Sequence, residues 1–331
     1  MVVFHHATNY VPTYTWSGIG ATGVDIFFVI SGFIMAYTCS KEPRAGEPRG
    51  ELAAADFLLR RCVRVVPLYW LALAVSWRTE LLHGALNVDL VRDFLFIPRF
   101  YFPGAVRIWP KLIPGWTINC EMFFYLVFGL AILASRHRLK VTLAVLIGLS
   151  IAGVIFHPAG APGQLYTWSI FLEFALGILL YLAFRRWPVR LSMLLRLVLF
   201  SVALAALAFA SRNNAYEYSS FRFLLYGIPA FIIVWLGLQV RQSNERPLLK
   251  LMGDASYSIY LFHATVGMRL AVHVVDMFPM PASRWLAAGV VLAIFMSISV
   301  VIGVGVHLIF EKPVLGHLRH WSESLLLRRH A

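Results

Sequence analysis

Six ionisable side chains occur within apolar stretches of this chain. They are His6, Asp25, Glu121, Glu173, His263 and Arg269. An ionisable group is costly inside a lipid bilayer, so each of these residues is a functional candidate. A histidine beside a carboxylate can accept the proton of a hydroxyl group, because the carboxylate orients the imidazole and stabilises its cation. The pattern therefore indicates proton transfer within a membrane.

The depth of these residues follows from the rise of an α-helix, about 1.5 Å per residue. Four of them are predicted to lie roughly 6 to 10 Å inside the outer ends of their helices: His6, Asp25, Glu121 and Glu173. Arg269 reaches the same layer, and His263 lies nearer the middle of the bilayer. We predict that His6 is the general base and that Asp25 or Glu121 orients it. The alternative is that these groups form structural ion pairs and polar contacts between helices.

A basic cluster precedes one of the apolar stretches. Arg60, Arg61 and Arg64 come directly before residues 65–70. Arg61 and Arg64 are three residues apart, so they share one face of a helix and could hold a pyrophosphate through bidentate hydrogen bonds. The alternative is a cluster that sets the membrane orientation and attracts anionic lipids.

The composition is that of an integral membrane protein. Of the 331 residues, 60% are hydrophobic and 14% are charged, and the mean hydropathy is +0.73. Apolar stretches of about 20 residues can cross a bilayer, and they must be helical because lipid offers no partner to backbone amides. The predicted spans are 21–40, 65–83, 116–134, 141–157, 166–184, 193–211, 221–239, 256–277 and 285–310.

Residues 1–10 are predicted to be the end of a further span. We therefore expect an all-α polytopic membrane protein, a bundle of about ten transmembrane helices with the first truncated at its N-terminus. The connections are short, so residues 1–331 are predicted to form a single domain.

Lysine and arginine in the connections predict the orientation of the bundle. Of the 29 basic residues, 20 lie in one alternating set of connections and 8 in the other. The first set includes the C-terminus and is predicted to be cytoplasmic, whereas the 78–113 connection is predicted to face outward. The location of the basic residues is therefore more informative than the net charge of +13, and nucleic acid is not an expected partner. No ligand spacing typical of zinc is present, and no metal is expected.

Six motifs resemble, in order, those of the acyltransferase-3 family of membrane acyltransferases. Residues 23–33 (GVDIFFVISGF) are similar to its second-helix signature. Arg61 and Arg64, followed by residues 67–70 (PLYW), are similar to its paired-arginine motif. Residues 116–125 (WTINCEMFFY) resemble the exopolysaccharide-production branch of the family. The other three motifs are residues 174–177, 253–263 and 311–313.

The resemblance, which covers essentially the whole chain, implies transfer of an acyl group to a hydroxyl of an exopolysaccharide or another envelope glycan. The donor it implies is acetyl-CoA, and the location is the bacterial inner membrane. His6 aligns best with the first-helix histidine of the family, but the arginine that precedes this histidine in the family is absent. The phosphates of the donor are expected at Arg60, Arg61 and Arg64. The acceptor is expected at Asn119, Glu173, His263 and Arg269.

Two other functions are compatible with the sequence. Intramembrane His, Glu and Arg also suit a flippase or a proton-coupled transporter for a glycan precursor. The absent arginine suits a non-catalytic, truncated paralogue. The sequence also leaves open whether transfer is direct or passes through an acyl-enzyme, and it does not indicate the oligomeric state.

Overall fold

The computed structural model describes residues 1–8, 10, 18–39, 50–187, 189–212, 221–240, 246–278, 280–281 and 283–318. Within these ranges the chain forms helices joined by turns and irregular connections, without a strand. Seven helical runs are long and apolar enough to cross a membrane: Gly18–Cys39, Gly115–Ala134, Arg138–Phe156, Ala161–Arg186, Met193–Ser211, Ser256–Met277 and Arg284–Leu318. The architecture is therefore all-α and suited to several membrane crossings, as expected, whereas the predicted count of about ten spans is not confirmed.

The helices are numbered in chain order. The first nine α-helices are α1 (Val2–Thr8), α2 (Gly18–Ala21), α3 (Gly23–Cys39), α4 (Glu51–Ser76), α5 (Arg78–Leu82), α6 (Val88–Phe94), α7 (Gly115–Ala134), α8 (Arg138–Phe156) and α9 (Ala161–Tyr166). The others are α10 (Phe171–Arg186), α11 (Met193–Ser211), α12 (Ile228–Leu238), α13 (Pro247–Asp254), α14 (Ser256–Phe262), α15 (Met268–Met277) and α16 (Arg284–Val306). In the described part of the chain, three π-helical segments interrupt or extend them: π1 (Phe223–Gly227), π2 (His263–Gly267) and π3 (His307–Glu311). Such segments are rare and are frequently found at functional sites.

The chain divides into two compact units. The first contains the described parts of Met1–Val2, Thr15–Ala54 and Cys120–Ser243. The second contains the described parts of Val3–Tyr14, Ala55–Asn119 and Asn244–Ala331.

The first unit is built around the contact of α3 with α10. Their backbones approach closely at Gly32 and Gly177, where a Cβ atom on either residue would lie 2.1 Å from a carbonyl oxygen of the other helix. The ring of Phe28 lies 4.5 Å from that of Phe174. Further along both helices, aromatic rings meet again at Phe33 and Tyr181. The two helices therefore run parallel and cross the membrane in the same direction.

The second unit is built around the contact of α14 and π2 with α16. A Cβ atom on Gly303 would lie 2.4 Å from the Cα atom of Ile259, so the two backbones are nearly in contact. A Cβ atom on Gly267 would lie 3.0 Å from Oγ of Ser299. Residue numbers rise along one helix as they fall along the other, so the pair is antiparallel.

The helix α4 differs from the predicted span 65–83. It begins at Glu51 and ends at Ser76, and the chain then continues into α5. The difference has a physical cause: the helix carries Arg60, Arg61 and Arg64 in its first half, and a hydropathy average detects only the apolar part of such a helix.

Candidate functional site

Two imidazoles meet in the second unit. The rings of His6 and His263 have their centroids 5.1 Å apart and are inclined at 50°. His263 is fully buried and is the first residue of π2, whereas His6 is partly exposed. The sequence predicts different depths in the bilayer for these two histidines, whereas in the structure their rings are in contact.

The tautomer of His263 is set by its own helix. Its Nδ1 atom lies 2.6 Å from the carbonyl oxygen of Tyr260. A carbonyl oxygen only accepts hydrogen bonds, so Nδ1 must carry the hydrogen and Nε2 must carry the lone pair. Nε2 is buried and has no hydrogen-bond partner among the described residues. His263 therefore presents an acceptor nitrogen that the described part of the chain leaves unused.

Two tyrosines of α14 connect this pair to neighbouring helices of the same unit. The hydroxyl of Tyr257 donates to the carbonyl oxygen of Val65 in α4, at 2.9 Å. The hydroxyl of Tyr260 lies 2.7 Å from Oγ1 of Thr117, at the start of α7. From Tyr257 to His263 the helix rises roughly 9 Å. The level of Val65, next to Arg64, is thus separated from the imidazole pair by about a third of the roughly 30 Å hydrocarbon core.

The three arginines of α4 differ in their surroundings. Nε of Arg60 donates to Asp56 at 2.8 Å, and 61% of the Arg60 side chain is exposed. The guanidinium of Arg61 lies over the ring of Phe57, 5.5 Å from its centroid, and Arg64 is exposed. Exposed guanidinium groups spaced along one helix can bind the phosphates of an anionic ligand.

The connection between α4 and α7 is held by one buried carboxylate, which the sequence analysis did not identify. Asp93 accepts hydrogen bonds from Nε and Nη2 of Arg99, from Nε1 of Trp77 and from the backbone amide of Lys111, at 2.8 to 3.2 Å. Its own backbone carbonyl accepts from the hydroxyl of Tyr69. Asp93 thereby joins the last turns of α4 to the parts of the connection that contain Arg99 and Lys111.

Asn119 lies against the same connection. Its Nδ2 atom donates to the carbonyl oxygen of Phe96 at 2.8 Å. Phe96 has a left-handed backbone conformation (φ 57°), which is uncommon for a non-glycine residue. Its ring stacks on that of Tyr69, at 4.6 Å. Asn119, which was predicted to bind the acceptor glycan, is therefore hydrogen-bonded to a strained turn. The Phe96 ring of this turn packs against Tyr69 of α4.

A second polar cluster of this unit joins α14 to π3. Oε2 of Glu311 accepts a hydrogen bond from Oγ of Ser258 at 2.6 Å and lies 2.7 Å from Nδ1 of His307. All three residues are buried. Both donors meet on one oxygen, so the cluster serves as a polar contact between two closely packed helices.

The first unit contains a different arrangement, in which one arginine lies between two carboxylates. Nη2 of Arg222 donates to Oδ1 of Asp25 at 2.6 Å, and its Nε lies 3.6 Å from Oε1 of Glu173. All three side chains are buried. The guanidinium also lies over the rings of Trp168 and Tyr226. A cation between two buried carboxylates offsets their mutual repulsion.

The sequence analysis missed Arg222 because it placed this residue in an outward connection, as one of the orienting charges. The signal that could have found it is the charge balance of the spans. Asp25 and Glu173 were both predicted to lie within the bilayer, where a carboxylate needs a cationic partner.

The other predicted residues occupy separate places. Glu121, in the first unit, accepts a hydrogen bond from the hydroxyl of Tyr125, one turn along α7. Arg269 is exposed on α15. Within the second unit, His6 and His263 are in contact, and within the first unit, Asp25 and Glu173 share Arg222. Within the described ranges, no group of three or more metal-ligating side chains has a suitable arrangement for a metal ion.

The apolar helices with buried polar clusters are those of a multi-pass membrane protein, and comparison with known proteins identifies the family. The acyltransferase domain of the acyltransferase-3 family matches residues 1–304. The chain belongs to this family, as the motifs indicated, and it is an O-acyltransferase.

Three relatives show the range of the family. The chain is 30% identical over 328 residues to the exopolysaccharide production protein ExoZ of Rhizobium meliloti (strain 1021), covering 95% of this chain and 94% of that protein. It is 26% identical to nodulation protein 10 of Rhizobium leguminosarum bv. viciae, covering 80% of this chain and 79% of the relative. It is 24% identical to the peptidoglycan O-acetyltransferase OatA of Listeria monocytogenes, covering 47% of this chain and 28% of the relative. No solved structure matches the chain.

Proposed function

We propose that this O-acyltransferase moves an acetyl group from acetyl-CoA to a hydroxyl of an exopolysaccharide or a related envelope glycan. We further propose that it lies in the bacterial inner membrane with its C-terminus in the cytoplasm, and that residues 1–331 act as one domain. The similarity to an exopolysaccharide production protein over 95% of the chain supports the choice of acceptor.

The observation that carries the proposal is the position of the imidazole pair within the second unit. His6 and His263 are in contact, and the helix that bears His263 is tied through Tyr257 to the carbonyl next to Arg64. The helical rise between these levels is roughly 9 Å. A donor held at the arginines therefore needs to reach only part of the way across the bilayer, which favours direct transfer in one buried site.

In the proposed reaction, Arg61 and Arg64, assisted by Arg60, hold the phosphates of the donor. His6 takes the proton of the acceptor hydroxyl while the oxygen attacks the thioester carbonyl. The C–S bond then breaks, and His6 returns the proton to the CoA thiolate. No net proton is consumed, so the step is balanced. Exclusion of water strengthens every hydrogen bond to the developing oxyanion.

The other residues selected from the sequence keep their predicted roles in this proposal. Asp25 or Glu121 orients His6. The acceptor is bound by residues that carry polar or charged groups: Asn119, Glu173, His263 and Arg269.

The test is acetyl transfer by the protein in lipid nanodiscs, with radiolabelled acetyl-CoA and the exopolysaccharide fraction of the host strain as acceptor. We expect His6→Ala to lower the turnover about 100- to 1,000-fold, because a general base contributes on that order. His5→Ala is the matched control, since it removes the adjacent imidazole, and it should change turnover less than about threefold. Full activity of His6→Ala would contradict the general-base role. Absence of transfer by the folded wild-type protein would favour transport or a non-catalytic role.

A further inference from the structure

The nitrogen Nε2 of His263 is an exception to the way proteins bury polar atoms. Most buried polar groups have a hydrogen-bond partner, and one that has none calls for a specific explanation. His263 is 0% exposed, and its Nδ1 hydrogen is committed to the carbonyl oxygen of Tyr260. Its remaining nitrogen carries a lone pair for which the described residues provide no donor.

The local helix geometry explains how this arrangement is fixed. His263 is the first residue of π2, where the helix widens from four to five residues per hydrogen-bonded turn. The side chain can then bond to a carbonyl of its own helix, three residues back. This bond prevents the ring from exchanging its two nitrogens, so the acceptor is always Nε2.

The neighbour best suited to this acceptor is His6. The ring centroids are 5.1 Å apart. Each ring nitrogen lies about 1 Å from its centroid, so two nitrogens that face each other would be about 3 Å apart, which is hydrogen-bond distance. His5 is the other imidazole beside His6, with centroids also 5.1 Å apart. For His263, the bond to the carbonyl oxygen of Tyr260 fixes which nitrogen carries the lone pair.

We propose that His263 is a positioning residue for His6: its Nε2 accepts the N–H of the His6 imidazole and so turns the other nitrogen of His6, with its lone pair, toward the acceptor hydroxyl. The inference rests on the proposed function of His6 as general base. It replaces two roles proposed from the sequence, the orientation of His6 by Asp25 or Glu121 and the binding of the acceptor by His263. In their place, His263 is the neutral partner, within the same unit, that selects the reactive tautomer of the base.

The hydrogen bond also assists each half of the proton transfer. When His6 takes the proton from the acceptor oxygen, its N–H toward His263 becomes a charge-assisted donor, and such bonds are stronger than neutral ones. When the C–S bond of the donor breaks, His6 gives the proton to the thiolate and the bond to His263 returns to its neutral form. His263 itself neither gains nor loses a proton.

Two substitutions separate the two nitrogens of His263. In His263→Asn, the side-chain amide can replace Nδ1 and donate to the carbonyl of Tyr260, but nothing replaces Nε2. In His263→Gln, the longer side chain can place its amide oxygen, an acceptor, near the former position of Nε2. The two variants are similar in polarity, so a difference between them reports the acceptor rather than the loss of an imidazole.

The experiment measures kcat and KM for radiolabelled acetyl-CoA in nanodiscs with the host exopolysaccharide fraction. We expect His263→Asn to lower kcat about 10- to 100-fold with KM changed less than about twofold, because only the orientation of the base is lost. His263→Gln should recover at least about threefold of that loss. In a His6→Ala background, His263→Asn should lower kcat by less than about twofold further, since the two residues act as one unit.

Four outcomes would overturn the inference. Wild-type kcat in His263→Asn would show that the acceptor nitrogen is not used. Losses that multiply in the double variant would show that His263 acts independently of His6, and they would leave the role of His6 intact. Wild-type kcat in His6→Ala would overturn the role of His6 and this inference together. Thermal unfolding of each variant distinguishes a folding defect, and equal kcat losses in the Asn and Gln variants would assign the effect to packing.

Discussion

Two arginine–carboxylate clusters are buried in this protein, and they are built differently. In the second unit, Asp93 has both oxygens occupied by four hydrogen bonds, two of them from Arg99. In the first unit, Arg222 is shared by Asp25 and Glu173. There, Oδ2 of Asp25 and both oxygens of Glu173 have no hydrogen-bond partner among the described residues.

Asp93 has a structural role. In contrast, Asp25 and Glu173 have oxygens that accept no hydrogen bond from the described residues. A buried carboxylate that is completely hydrogen-bonded stabilises the segments around it. A cluster with more negative groups than donors is costly to bury, and such clusters are found where function requires them. Asp93 therefore fixes the connection between α4 and α7, whereas Asp25 and Glu173 retain oxygens that can accept hydrogen bonds from hydroxyl groups of water or of a sugar.

The largest expected effect comes from removing the shared cation. Arg222→Met leaves two buried carboxylates without their positive partner, and loss of one member of a buried ion pair costs about 3 to 5 kcal/mol. We expect a loss of unfolding free energy at the upper end of that range, about 5 kcal/mol, measured by denaturation in detergent micelles. Arg136→Met, at an exposed position, is the control and should be nearly neutral. A similarly small effect of Arg222→Met would contradict the role of Arg222 as the essential partner.

In the first unit, the sequence predicted the two carboxylates of the buried cluster but not the arginine that they share. Asp25 and Glu173 were identified because a carboxylate within an apolar stretch is conspicuous. Arg222 was not, because it lies where an apolar helix begins and hydropathy cannot tell a buried arginine from one that faces water.

The sequence was least informative about backbone details set by packing. It identified His6 and His263, but their contact depends on how distant helices pack. The π-helical turn at His263 follows from the same packing and leaves no pattern in residue spacing. Asp93 was missed because an aspartate in a polar connection is ordinary, and only its four partners, distant in sequence, make it special.

Substitution of Asp93, whose two oxygens are fully hydrogen-bonded, should have the next largest effect on the free energy of unfolding. Asp93→Asn keeps one acceptor oxygen but removes the charge that Arg99 needs, and hydrogen bonds to charged groups contribute about 1.5 to 3 kcal/mol. We expect a loss of about 2 to 3 kcal/mol in unfolding free energy and faster proteolysis of the connection. Asp56→Asn is the matched control, since Asp56 pairs with Arg60, whose side chain is 61% exposed. Equal effects at the two positions would remove the distinction between a buried and an exposed ion pair.

The cluster of Arg222, Asp25 and Glu173 should remain stable when one of its carboxylates is neutralised. Glu173→Gln removes one of two negative groups that share one arginine and breaks no hydrogen bond between described residues. We expect unfolding free energy to change by less than about 1 kcal/mol, while acetyl transfer falls at least about tenfold because an acceptor for sugar hydroxyls is lost. Stability and transfer would be measured on the same preparation. A stability loss as large as that of Asp93→Asn would place Glu173 among the structural charges.

The smallest effect concerns an ion pair at the edge of the connection between α4 and α7. The hydrogen bond from Nζ of Lys111 lowers the pKa of Glu80 below its ordinary value. Because the folded pKa is lowered, the stabilisation is complete above the ordinary value, about 4.3, and is lost as pH falls through the lower folded value. We expect the melting-temperature difference between the wild type and Glu80→Gln to be small at pH 7 and to vanish near pH 3. The exposed Glu51→Gln variant should show no such trend, and a difference that grows in acid would contradict the assignment.

The close approach of α3 and α10 at Gly32 and Gly177 has a consequence for how this protein can vary. Asp25 and Glu173 lie on the same two helices, so the distance between the helix backbones also sets the distance between the charges. A methyl group at either glycine would press on the backbone of the other helix and would change neither carboxylate directly. It would nevertheless move one carboxylate relative to the other and change which of them Arg222 can reach. Substitutions at these two apolar positions are therefore constrained by electrostatics as well as by volume.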